Sequence, residues 1–137
     1  MRQNGEESTV QARTGLLLDP YFSGSKIAWA MEHWPQLGEA GEPLAIGTVE
    51  SWLVWKLTGG LHITDASNAS RTLLMALGSG NWDDGLVALF DAPRAALPEI
   101  VDCAGQFGTT SLFGGEIPIC GLAGDQQSAL IGQTCFE

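Results

Sequence analysis

Ile119-Cys120-Gly121-Leu122-Ala123-Gly124-Asp125-Gln126-Gln127 is the stretch that decides how the chain is read. The run from Ile117 to Leu122 has the length and apolar character of a buried strand. Ala123-Gly124 makes a tight exit, and a helix is expected from about Gln126 to Gly132. In open α/β sheets ligands bind beyond the carboxyl ends of strands, and Asp125 stands at that point. A carboxylate at a helix N-terminus is favoured in its ionised form by the dipole and the unpaired amides, so it can accept a proton at neutral pH. Gly121 and Gly124 let backbone and ligand approach closely. The same pattern also describes a plain helix cap, and Gln126 and Gln127 can equally be surface residues of a first turn. The residues alone leave both readings open.

Upstream, helices alternate with few short strands, which places the chain in the α/β class. Leu16-Leu17-Leu18 reads as a buried strand ending at the Asp19-Pro20 turn. Ile27, Ala30, Met31 and Trp34 recur at helical spacing, predicting a helix from Ser23 or Ser25 to Trp34 that Pro35 stops. Gly38 to Pro43 reads as a loop. A second helix is expected over Thr48–Leu57, with Thr48 as its cap, Val49, Trp52, Leu53 and Leu57 as its apolar stripe, and Gly59-Gly60 as its end. Trp29, Trp52 and Trp55 suit core or interface positions better than ligand platforms. Leu61–Thr64 reads as a short strand and Asp65–Thr72 as a polar loop. Asn81 is expected to cap a helix over Trp82–Phe90, with Leu86, Leu89 and Phe90 inward. Pro93 and Pro98 bracket a turn, and Phe107–Gly115 is a hairpin or loop.

Composition narrows the function. The 137 residues carry 16 acidic and 6 Lys or Arg side chains, a net charge of −10. That balance argues against nucleic acid and anionic membrane surfaces, which call for clustered basic residues. No apolar run approaches the ~18 residues of a membrane span, and Met1–Val10 lacks the apolar stretch of a secretory signal. Cys103, Cys120 and Cys135 are odd in number and form no C-x-x-C pair, so reduced cytoplasmic thiols fit better than disulfides or zinc. Cys120 reads as a small core residue. Without a secretory signal, the glycosylation sequon Asn68-Ala69-Ser70 is read as chance. His33 and His62 lack a second ligand at metal spacing, so no metal site is expected. Neither a P-loop nor a G-x-S-x-G elbow is present. Tyr21, beside the Pro20 turn, is open to two readings, packing or contact with a small polyol.

Several stretches together resemble the FGGY carbohydrate kinases, and within them the members that act on glycerol. They are Thr14 to Lys26 with Trp29 and Glu32-His33, Gly47 to Gly60, Thr64 to Thr72, Trp82-Asp83-Asp84, and Ile117 to Leu130. The Asp19-Pro20-Tyr21-Phe22-Ser23 and Gly124-Asp125-Gln126-Gln127 pieces favour glycerol over pentulose members. The resemblance implies an actin-like, ribonuclease-H-like fold of two domains with the active site between them. It implies transfer of the ATP γ-phosphoryl group to a terminal glycerol hydroxyl, giving glycerol 3-phosphate. Asp125 matches the general base, and Tyr21 and Gln126 match glycerol-contacting positions.

The same resemblance implies a cytoplasmic, homo-oligomeric parent that uses ATP and magnesium. The family's N-terminal phosphate-binding hairpin, its upstream Arg-Glu pair and its adenosine-holding C-terminal domain have no counterpart here. Residues 1–12 are therefore expected to be the ragged start of a truncated helix, and 13–137 a partial, substrate-side N-terminal domain. Such a piece is expected to bind no ATP or magnesium and to be inactive alone. Alternatives are another FGGY polyol or sugar kinase, or a non-catalytic α/β binding module.

Overall fold

The computed structural model describes residues 5–34, 36–39 and 43–135. The chain divides into two compact units, Met1–Ile46 with Ala69–Leu97 and Gly47–Asn68 with Pro98–Glu137.

In the first unit, α1 (Glu7–Thr14) overlaps the segment 1–12 expected to be the ragged start of a helix and runs two residues past it. Its inner face is Val10 and Thr14; the Thr14 hydroxyl donates to the Val10 carbonyl at 2.7 Å and accepts from the Leu16 amide at 3.1 Å. Leu16–Leu18 then runs as irregular chain, not as a strand, with Leu18 buried and Leu17 exposed. Among the described residues no strand pairs with it, so its apolar residues serve packing alone. The expected helix is α2 (Ser23–His33). Its apolar residues are only half-buried or exposed, and Gly24 is its one buried residue. Pro35 and residues 40–42 of the expected loop lie outside the described residues, while Gln36–Glu39 form the short α3.

Later in this unit, β2 (Met75–Ala76) and β3 (Asn81–Trp82) pair antiparallel. Asn81 is therefore in a strand, and the cap of α6 (Asp84–Leu89) is Asp83, whose carboxylate accepts the Leu86 amide at 2.9 Å. Both residues are cap formers; the pairing with β2 extends the chain through Trp82 and moves the helix start two residues on. Leu86, Val87 and Phe90 face inward with Leu73, Leu74 and Trp82, while Leu89 is only half-buried. Pro93 leads into a 3-10 turn, Arg94–Ala96.

In the second unit, α4 (Val49–Thr58) ends at Gly59, which takes the left-handed conformation that glycine tolerates, φ 80°. Thr48 sits at the N-cap position, but its hydroxyl donates to the Glu50 carboxylate instead of capping an amide. The buried face of α4 is Ser51 and Val54, not the expected stripe: Val49 is 76% exposed and Trp52 59%. Apolar residues lie almost all round this helix, so periodicity does not select the inner side.

Strand β1 (Ile63–Asp65) pairs parallel with β4 (Glu99–Val101), Ile63 opposite Glu99 and Asp65 opposite Val101. After β1 the chain turns through α5 (Ala66–Ala69), so the first five residues of the expected polar loop are the last strand residue, Asp65, and a short helix. The hairpin of β5 (Ala104–Thr110) and β6 (Ile117–Gly121) is antiparallel, Thr110 opposite Ile117. Strand β6 is largely exposed, and so is Cys120, against the expectation of a buried strand. Among the described residues β6 pairs only with β5, and the apolar cover falls one residue later, on Leu122. Val54, Ile63 and Leu122 form the unit's core, with Leu61, Val101, Phe107 and Ile119 packed around it. Helix α7 (Asp125–Gly132) follows.

Candidate functional site

Asp125 is the first residue of α7, and Gly124, in extended conformation, is its N-cap. The first helical bond runs from the Ser128 amide to the Gly124 carbonyl at 2.8 Å. The Asp125 carboxylate is exposed and accepts the Gln126 amide at 2.9 Å. Gln126 and Gln127 follow on the same exposed turn. A solvent-facing carboxylate held at the positive end of a helix is suited to accepting a proton from a hydroxyl brought to it.

Tyr21 belongs to the first unit and is 75% exposed. Asp19 shapes its turn: the carboxylate accepts the Tyr21 amide at 2.8 Å, and the Lys26 ammonium donates to the Tyr21 carbonyl at 2.5 Å. The Tyr21 ring meets Phe22 edge-on at 5.3 Å, and Phe22 is the one that goes inward. Of the predicted site residues, Asp125 and Gln126 thus stand together on α7, while Tyr21 is placed separately by the other unit.

Sequence reasoning missed a polar cluster built round the buried Asp65, which adjoins the start of α7 through Ser67 and Gly124. Asp65, at the end of β1, is 0% exposed, and five donors surround its carboxylate. One oxygen accepts the Ser67 amide (2.8 Å), the Ser67 hydroxyl (2.5 Å) and the Cys103 thiol (3.1 Å). The other accepts the Asn68 amide (3.3 Å) and the Asn68 side-chain amide (2.7 Å). Burial pushes the Asp65 carboxyl up, but the hydrogen bonds from Ser67, Asn68 and Cys103 outweigh it and hold the group below the usual carboxylate range.

Glu50 lies next to it and accepts the Thr64 hydroxyl at 2.9 Å and the Asp65 amide at 3.3 Å. Its pKa is raised, chiefly by burial and then by the Asp65 charge, against opposing hydrogen bonds from Thr64 and Thr48. The Cys103 thiol is raised as well, by its bond to Asp65, by burial and by the Asp65 charge. The available signal was the spacing Asp65-x-Ser67-Asn68, a cap-forming residue followed by donors two and three positions on.

Residues 1–132 match the model of the FGGY family of carbohydrate kinases, N-terminal domain. The chain belongs to this family. A glycerol kinase of Methylobacterium nodulans is 57% identical across 100% of the chain, and one of Alkalilimnicola ehrlichii 58% across 100%. The chain spans 28% and 29% of those two proteins, less than a third of their length. Among solved structures, Plasmodium falciparum glycerol kinase with ADP superposes with a TM-score of 0.85 at 36% identity, over 96% of this chain and 27% of that one. A xylulose kinase from Rhodospirillum rubrum superposes at 0.80 over 94% of this chain and 28% of that one; at 24% identity it shows the shared fold alone. The α/β architecture is thus that of the N-terminal portion of FGGY kinases, as the resemblance implied. Among the described residues no helix is long and apolar enough to cross a membrane.

Proposed function

We propose that the protein to which this chain belongs phosphorylates glycerol with ATP, giving glycerol 3-phosphate. The observation that carries the reading is Asp125: an exposed carboxylate at the start of α7, in a chain 57% identical over its whole length to a glycerol kinase. The role assigned to Asp125 is general base. It takes the proton of the terminal hydroxyl as that oxygen attacks the γ-phosphorus and the bond to the ADP leaving group breaks. Gln126 and Tyr21 are assigned to the glycerol hydroxyls, whose pairing with fixed polar groups gives discrimination among polyols. Glycerol is preferred to a pentulose because the relatives at 57% and 58% identity are glycerol kinases, whereas the xylulose kinase, at 24%, supports only the fold.

Residues 13–137 are read as the substrate-side part of the N-terminal domain, in a cytoplasmic, homo-oligomeric enzyme. Among the described residues no three His, Cys, Asp or Glu side chains stand together as a metal site.

The test is a chimera in which this chain replaces the matched segment of the Methylobacterium nodulans glycerol kinase. It should convert glycerol in a coupled ADP assay, and Asp125→Asn should lower kcat by about 10²–10⁴-fold. Unchanged turnover in the Asn variant would overturn the assignment.

A further inference from the structure

The start of α7 is held by very little. From Gly121 to Cys135 only Leu122 and Gly124 are buried, and no residue of the helix itself is. Leu122 sits in the apolar core, and its amide donates to the Cys103 carbonyl at 2.9 Å. The Gly124 amide donates to the Ser67 hydroxyl at 2.8 Å. These two points fix the chain immediately before Asp125.

Both points lead to one carboxylate. The Ser67 hydroxyl donates its hydrogen bond to Asp65, which leaves an oxygen lone pair to accept the Gly124 amide. The Ser67 backbone amide bonds the same Asp65 oxygen, so the serine is gripped at two atoms. Cys103, whose carbonyl receives Leu122, donates its thiol to that oxygen too. Asp65 is itself fixed by β1, paired with β4, and its amide donates to Glu50. An ionised acceptor makes these bonds stronger than neutral ones and sets the direction of the serine hydroxyl.

We propose that Asp65 and Ser67 are positioning residues for Asp125: the chain Asp65–Ser67–Gly124 amide sets where the base stands at the helix start. The assignment rests on the proposed role of Asp125. Removing the Ser67 hydroxyl leaves the Gly124 amide buried without its acceptor. The strand-to-helix turn then relaxes, and the carboxylate is displaced relative to a bound hydroxyl. Displacements of about 1 Å at a reacting group cost on the order of 100-fold in rate.

The experiment is a double-mutant cycle in the chimera described above, with Ser67→Ala, Ser67→Thr and Asp125→Asn. Ser67→Ala is expected to lower kcat about 10- to 100-fold with the KM for ATP unchanged. Ser67→Thr, which keeps the hydroxyl, is expected to recover most of the rate. In the Asp125→Asn background Ser67→Ala should change kcat by less than about twofold, because the group it positions is gone.

A Ser67→Ala loss of equal size in both backgrounds would overturn the assignment, since the serine would then act on the fold. So would an unaltered rate in Ser67→Ala, or a failure of that variant to fold in a thermal melt. Full turnover in Asp125→Asn alone is a separate result that removes the functional reading itself.

Discussion

Replacing Asp65 by Asn tests the central claim about the second unit, that an ionised buried carboxylate organises it. The side chain keeps its shape and loses its charge. Three of the five donors approach it closely: the Ser67 amide at 2.8 Å, the Ser67 hydroxyl at 2.5 Å and the Asn68 side-chain amide at 2.7 Å. A hydrogen bond to a charged acceptor contributes roughly 1 kcal/mol more than a neutral one, so three such bonds lose about 3 kcal/mol together. The new amide nitrogen also points at donors on whichever side it takes, which costs about 1 kcal/mol more. Relief of a buried charge and of its repulsion with Glu50 returns about 1–2 kcal/mol. The net expectation is a loss of about 2–3 kcal/mol, a large share of the roughly 5–15 kcal/mol that stabilises a domain.

Urea unfolding followed by circular dichroism measures it, and with an m-value near 1–3 kcal/mol/M the midpoint should fall by about 0.7–3 M. The sign of the pH dependence gives a second check. The Asp65 carboxyl is depressed in the folded state, so its contribution is complete above the unfolded value of about 3.9 and is lost as pH falls through the folded value. The gap between the native chain and Asp65→Asn should therefore close in acid. Glu50, raised in the folded state, works the other way: its ionisation costs stability at neutral pH, and protonation relieves that cost as pH falls through the raised value. An Asn variant within about 0.5 kcal/mol of the native chain at pH 7, or a gap undiminished near pH 2, would refute the argument.

Asp83→Ala removes the cap of α6 and should cost about 1–2 kcal/mol, whereas Arg13→Ala, which breaks only its part-exposed ion pair with Asp83, should cost under about 1 kcal/mol. Thermal melts that reverse this order would show that the pair, not the cap, matters. Ser51→Ala should be neutral or stabilising by up to about 1 kcal/mol, because the Ser51 hydroxyl is buried and lacks a hydrogen-bond partner among the described residues; a melting temperature lowered by more than a few degrees would contradict this. Gly47→Ala should destabilise by about 1–3 kcal/mol, since a Cβ there would stand 2.6 Å from the Ser51 Cβ. Equal urea midpoints for Gly47→Ala and the native chain would mean that α4 yields at its first turn.

Local signals carried the fold as far as a single segment can. The spacing of Ile27, Ala30, Met31 and Trp34 located α2, and Gly59 located the end of α4, because periodicity and helix caps are properties of consecutive residues. The inner face of α4 was not legible. With Val49, Trp52, Leu53, Val54, Trp55 and Leu57 distributed round the helix, only the packing of Ser51 and Val54 tells which side is in. Asn81 failed for a related reason: two adjacent cap formers compete, and a two-residue strand pairing, invisible in the local sequence, decides between Asn81 and Asp83.

The candidate site divides along the same line. The strand, glycine exit and helix that place Asp125 and Gln126 were readable because they follow one another in consecutive residues, whereas the roles proposed for the two side chains came from the resemblance. The cluster round Asp65 was not readable, because it is assembled from Glu50, Asp65, Ser67, Cys103 and Gly124, spread over more than half of the chain. Asp65-x-Ser67-Asn68 looked like a loop because polar residues usually face water, and its meaning changes only once Asp65 is known to be 0% exposed. A fully buried carboxylate persists ionised only where donors satisfy it, and here the same donors also hold the two backbone points that precede Asp125. The electrostatic requirement of one buried acid and the placement of an exposed one are therefore met by a single set of bonds. A substitution at Ser67 or Asp65 should accordingly be felt at α7, although neither side chain is itself part of that helix.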